Sequence, residues 1–186
     1  QEMIKRNPQA IDAIFLSNHD QGRSAAYFMG DEERQRFAAN VYLLMPGRPF
    51  IYYGEEIAMK GSGKDENKRL AIPWGDRYEA EDPTDADYMM KDVSSVKEAQ
   101  RDGKSLWSHY QKILKTRARY PFLFSEMNYE LKTIDPHLYA YQVDDHLVIH
   151  NFDEESVHID LSDELVLLEK INGDAKLQND ELFLEG

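Results

Sequence analysis

The hydrophobic rhythm of this chain changes along its length. Apolar residues run almost without a break from Ile11 to Leu16, the pattern of a short strand over 11–17 buried on both faces of a parallel sheet. A connection from Gln21 to Gly30 follows, and Asp31-Glu32-Glu33 then opens a helix, acidic residues there complementing its positive end. Phe37, Ala38, Val41, Tyr42, Leu44 and Met45 recur at helical spacing and predict its apolar face, before Met45-Pro46-Gly47 stops it. A second buried strand over Pro49 to Gly54 ends in Glu55 and Glu56. Strand, helix and strand in succession form a βα repeat, which implies parallel strands joined by a right-handed crossover.

Beyond that repeat the chain is polar from Ala58 to about Ser95 and broken by Gly61, Gly63, Pro73 and Pro83. Loops of such length usually serve function. Helix is predicted from Val93 to Tyr120, most clearly after Ser105, with Leu106, Tyr110, Ile113, Leu114 and Arg117 as the buried stripe. Residues 1–10 read as a helix end and a turn at Asn7-Pro8. After Phe124 the pattern alternates: strands are expected at 138–143, 146–151, 157–161 and 182–184, with a turn at Asp144-Asp145. Short alternating strands with tight turns make an antiparallel module. The fold class is therefore α/β plus all-β, divided into residues 1–123 and 124–186.

Composition narrows the function classes. With 41% hydrophobic, 11% aromatic and 31% charged residues the chain is globular. Its net charge of −13 and lack of a basic patch argue against nucleic acid and anionic membranes, and fit a neutral ligand. The absence of cysteine removes disulfides and thiolate chemistry. No apolar run approaches a membrane span. Gln1 to Arg6 holds neither a signal core nor an initiator Met, and reads as the middle of a longer protein.

Chemistry concentrates where the first strand ends, at Asn18-His19-Asp20. Barrels of parallel strands carry catalytic groups at that end, while Asn and Asp also make plain turns by bonding their own backbone. The residues alone leave both readings open. Asp65 and Arg69, four apart in a charged loop, can pair with each other for structure alone. Tyr52 suits the core, and Trp74 either packs or stacks. The histidines at 109, 137, 146, 150 and 158 show no metal-ligand spacing.

Three segments occur in order: Phe15-Leu16-Ser17-Asn18-His19-Asp20-Gln21, Pro46-Gly47-Arg48-Pro49-Phe50-Ile51-Tyr52-Tyr53-Gly54-Glu55-Glu56, and Gly63-Lys64-Asp65-Glu66-Asn67-Lys68-Arg69. A helix ending near Arg117 and the alternating module follow. This set resembles the α-amylase family, glycoside hydrolase family 13, over essentially the whole chain. The resemblance implies the last two strand–helix units of a (β/α)₈ TIM barrel, strands seven and eight, followed by a small antiparallel β-sandwich. It implies that Asp20 is the transition-state-stabilising carboxylate gripping the 2- and 3-hydroxyls of the sugar at the cleavage point. His19 would bond the same sugar, Asp65 and Arg69 the next one on the non-reducing side, and Asn18 would hold the loop. Glu66 stands where the family often has Pro.

A retaining glycosidase also needs a nucleophilic Asp and an acid/base Glu roughly 5–5.5 Å apart. In the family these end the fourth and fifth strands, and no segment here resembles those motifs. The resemblance thus implies a portion of an α-amylase-type enzyme acting on α-1,4 bonds of starch-like glucans, inactive by itself. The alternatives are an α-glucosidase or oligo-1,6-glucosidase, a glucanotransferase, or a non-catalytic glucan-binding module. The expected partner is an α-glucan, with self-association through the exposed barrel edge. No cofactor or metal is expected in this segment, calcium being common elsewhere in the family. The resemblance favours an extracellular or cell-envelope location.

Overall fold

The computed structural model describes residues 6–7, 9–75, 80–87, 93–125, 129–152, 155–160, 166–171, 173, 175–178 and 181–184. Most of the helix end expected over 1–10, and Leu161 at the end of an expected strand, lie outside them.

Strand β1 (Ala13–Ile14) pairs in parallel with β2 (Arg48–Pro49), Ala13 opposite Arg48 and Ile14 opposite Pro49. Between them run α1 (Ser24–Tyr27) and α2 (Glu32–Leu44), so the strand–helix–strand repeat is present. The strands are shorter than the expected 11–17 and 49–54, and they are covered on one face only. Ile14 and Leu16 pack against the helices, whereas Ile11, Phe15, Phe50 and Ile51 are exposed. Each strand finds one neighbour among the described residues, and Pro49 has no N–H to extend the ladder.

Asp31 caps α2, its side chain accepting from the Arg34 amide at 3.1 Å. The face that α2 buries agrees only in part with the one its apolar residues predict, at Tyr42 and Leu44. Gln35, Ala39, Asn40, Tyr42, Leu43 and Leu44 are buried, while Phe37, Ala38 and Val41 are only partly so. The turn of the helix follows two polar side chains that find buried partners. Gln35 Nε2 donates to Ser24 Oγ at 2.7 Å, and Asn40 Oδ1 meets His109 Nε2 at 2.8 Å. Phe37 packs edge-on against Phe152 instead.

Among the described residues, the polar stretch 58–95 contains one short helix, α3 (Asp65–Lys68). The single helix expected over 93–120 is two: α4 (Val96–Ala99) and α5 (Leu106–Arg119), separated at Asp102-Gly103. Each has its own Ser cap, Ser95 in a capping box with Glu98 and Ser105 accepting from the Ser108 amide. Leu106, Tyr110 and Ile113 are buried as expected, but Leu114 is exposed and His109 and Thr116 take its place. Arg117 reaches across to the end of α2. Its Nη1 donates to the carbonyls of Leu43 (2.7 Å) and Met45 (3.0 Å), its Nη2 donates to that of Gly47, and the guanidinium covers the Phe124 ring. A short helix α6 (Phe122–Ser125) leads into the last part.

The remainder is antiparallel. Strands β3 (Glu130–Lys132), β4 (Leu138–Val143) and β5 (His146–Asn151) form one sheet. Strands β6 (Val157–Asp160), β7 (Ala175–Gln178) and β8 (Glu181–Leu184) form a second, in the order β6-β8-β7. Leu138 and Ile149 of the first meet Ile159 and Leu182 of the second in one apolar cluster, which makes the pair of sheets a small sandwich. Tyr141 and Val143 of β4 join the main core of α2 and α5 with Leu43, Tyr110 and Ile113, and the Tyr141 hydroxyl donates to the Leu44 carbonyl.

Candidate active site

The chain leaves β1 and turns at once. Asn18 Oδ1 accepts from the amides of Asp20 (2.8 Å) and Gln21 (2.9 Å), a turn that holds the backbone under His19 and Asp20. Asn18 therefore has the loop-holding role expected of it. The other site segment leaves β2, makes a 3₁₀ turn at Glu55–Ile57 and returns through Gly61 to α3. A Cβ on Gly61 would lie 2.1 Å from the Asn67 carbonyl oxygen, so the returning chain passes here only without a side chain. Both segments lie beyond the C-terminal ends of the parallel pair.

Four charged or ionisable side chains singled out in the sequence, His19, Asp20, Asp65 and Arg69, come together. Arg69 Nη2 lies 3.2 Å from Asp20 Oδ1 and 3.2 Å from Asp65 Oδ2, bridging two carboxylates from different loops. Its Nε donates to the His19 carbonyl at 3.2 Å, and His19 Nε2 lies 3.4 Å from Asp20 Oδ2. Lys68 completes the cluster, Nζ donating to the Asp20 carbonyl (2.9 Å) and to Asp65 Oδ1 (3.0 Å). The Lys68 contact, with Arg69 adding to it, holds the Asp65 carboxyl below its ordinary value. Lys68 was missed in the sequence, although its position three residues after Asp65 places both on one face of a helix. Carboxylates and a forked guanidinium open to solvent suit the paired hydroxyls of a sugar.

Beneath this cluster lies a buried polar layer. Arg23 is fully buried. Its Nε donates to the Lys68 carbonyl (3.1 Å), its Nη1 to that of Tyr53 (2.6 Å), and its amide to that of Gly61 (2.9 Å). The guanidinium stacks on the rings of Tyr52 and Tyr53 at 4.5 and 4.6 Å. One residue thus ties the loop carrying Asp20 to the loop carrying Asp65 and Arg69. Tyr52, expected in the core, is partly buried and donates to the same Lys68 carbonyl at 3.1 Å.

Glu55 is buried beside this layer and accepts from the Tyr42 hydroxyl at 3.0 Å. Burial pushes its carboxyl up to about 7, the Ser17 and Tyr42 hydroxyls pulling the other way. Trp74 is half exposed and makes no part of the cluster. Burial lowers His109 and His150 to about 4, so both are neutral. Among the described residues no group of three or more His, Asp or Glu side chains is placed to hold a metal ion, and no described helix is long and apolar enough to cross a membrane.

The model of the alpha-amylase catalytic domain matches residues 1–126. The chain belongs to the alpha-amylase family. It is 34% identical over 155 residues to Alpha-amylase 3 of Dictyoglomus thermophilum, covering 79% of this chain and 31% of that protein. It is 33% identical over 186 residues to Alpha-amylase SusG of Bacteroides thetaiotaomicron, covering 91% of this chain and 27% of that protein. The solved structure of Eubacterium rectale Amy13B superposes with a TM-score of 0.83 at 28% identity, covering 99% of this chain and 39% of that one. More remote relatives carry the names 4-alpha-glucanotransferase and oligo-1,6-glucosidase. The chain thus spans about three tenths of the length of the two alpha-amylases it matches. Its fold is that of part of an alpha-amylase-family enzyme.

Proposed function

We propose that this chain supplies the closing edge of an α-amylase-type active site, strands seven and eight of the barrel, together with the C-terminal sandwich from about residue 124. The full-length protein would cleave internal α-1,4 bonds of starch-like glucans with retention. The observation that carries this reading is the bridge of Arg69 between Asp20 and Asp65, two loops meeting in the open beyond the C-terminal ends of parallel strands.

In this reading Asp20 accepts hydrogen bonds from the 2- and 3-hydroxyls of the sugar at the cleavage point, and these shorten as the ring flattens towards an oxocarbenium-like transition state. His19 bonds the same sugar. Asp65 and Arg69 hold its neighbour, exchanging their mutual contact for hydroxyls. Nucleophile and acid/base come from segments outside these residues. No cofactor is assigned to these residues, and any calcium of the full-length protein is placed outside them. The exposed face of Ile11, Phe15, Phe50 and Ile51 packs on the rest of the barrel, and the 186 residues alone would self-associate through it.

Starch digestion by the full-length protein, read by chromatography, tests the reading. A ladder of maltooligosaccharides is expected. Release of terminal glucose alone, or of transfer products longer than the substrate, replaces it with the glucosidase or glucanotransferase reading to which the more remote relatives point. Binding without turnover replaces it with a glucan-binding module.

A further inference from the structure

We infer that the groove between α1 and the 61–63 turn is an additional glucan subsite in which Tyr27 stacks on a pyranose ring, an inference that rests on the α-glucan reading above. The open groove has a volume of about 530 Å³, within the range of ligand-binding clefts, and Asp20 and Lys68 are among the residues that line it. It is therefore continuous with the proposed cleavage site. Tyr27, Gln21 and Ser62 line it as well.

Tyr27 is 71% exposed and its neighbour Met29 85%, two large apolar side chains left open close to the charged cluster. The Tyr27 ring is nonetheless oriented. It rests on the backbone of Gly22, where a Cβ would come within 3.2 Å of it. The helix beneath it is anchored by the buried Ser24 and Ala25 and by the caged Arg23. A rigid aromatic face held outward loses little entropy on meeting a partner.

The occupant follows from the lining. A pyranose unit offers an apolar C–H face to the Tyr27 ring and a rim of hydroxyls to an amide, a hydroxyl and a carboxylate. Asp20 and Lys68 oppose each other in charge, so the groove selects for neither an anion nor a cation. The groove shares Asp20 and Lys68 with the cleavage site, so a long glucan seated at Asp20 has more of its length available to this groove than a short one.

The test compares maltoheptaose with maltotriose as substrates of the full-length protein carrying Tyr27→Ala or Tyr27→Phe. Tyr27→Ala should raise KM for maltoheptaose about fivefold more than for maltotriose, the size of one lost aromatic contact. Tyr27→Phe keeps the ring and should stay within about twofold of the parent on both. Equal effects of Tyr27→Ala on the two substrates overturn the subsite, and so does a Tyr27→Phe variant as impaired as Tyr27→Ala, which would make the contact one of the hydroxyl. If the parent hydrolyses both sugars, either result leaves the function standing. If the folded parent hydrolyses neither, the glucan reading falls and the subsite with it.

Discussion

Asp20, Asp65 and Arg69 pair in the open, with side chains 68%, 53% and 43% exposed. Arg23 and Glu55, built from the same chemical groups, lie just beneath them at 0% and 1%. Solvent separates their roles. An exposed ion pair contributes about 0–1 kcal/mol, so it exchanges readily for the hydroxyls of a ligand. A buried guanidinium with carbonyl partners has no such freedom, because removing either side strands a desolvated group. The upper set is therefore suited to binding, and the lower set to holding two loops in register.

The sharpest way to break this contrast is Asp20→Asn in the full-length protein. Loss of a transition-state contact worth several kcal/mol should lower kcat about 10³-fold, with the folded state unchanged because Asp20 is exposed. Turnover within tenfold of the parent would sink the catalytic assignment. Arg23→Met addresses the lower set and should cost about 3 kcal/mol of stability by denaturant titration. Arg23→Lys should recover little, since one ammonium cannot span the Lys68 and Tyr53 carbonyls as the planar fork does.

Glu55 gives the lower set a signature in pH. Its folded carboxyl titrates near 7 against an ordinary 4.5, so the folded state binds the proton more tightly than the unfolded chain. That contribution is complete below about 4.5 and is lost as pH rises through about 7. Glu55→Gln removes the dependence. Its stability relative to the parent should therefore rise between pH 5 and pH 8, by about 2 kcal/mol. A flat difference would mean that Glu55 stays ionised in the fold. Taking the difference cancels the opposite trend of His109 and His150, whose lowered values remove stability as pH falls from 6.5 through about 4. The smallest effect is expected from Arg69→Ala: less than about 1 kcal/mol in stability, but about a tenfold rise in KM. The opposite result, a large loss of stability with KM unchanged, would make the Arg69 bridge structural.

Much of this site is legible one residue at a time. Asn18, His19 and Asp20 stand out because ionisable groups follow an apolar strand, and Asp65 and Arg69 because they recur in a motif of known order. That Arg69 would bridge to Asp20 is not legible, since the two are 49 positions apart and no local rule joins them. Arg23 gives no signal either, a single cation among small residues whose partners are backbone carbonyls 30 and 45 positions away. The buried face of α2 departs in part from its apolar periodicity for a related reason. Apolar periodicity does not register Gln35 and Asn40, which are buried with Gln35 Nε2 bonded to Ser24 and Asn40 Oδ1 to His109.

By itself, the sequence determined what depends on neighbours along the chain: the βα repeat, the acidic opening of the helix at Asp31, the hairpin across Asp144-Asp145 and the family. Only the tertiary structure decided how far each strand pairs, which face α2 buries, and which charges meet water. Those outcomes are set by burial and by partners distant in sequence. A guanidinium open to water at Arg69 exchanges partners readily, whereas the one buried at Arg23 against Tyr52 and Tyr53 ties the loop that carries Asp20 to its neighbour.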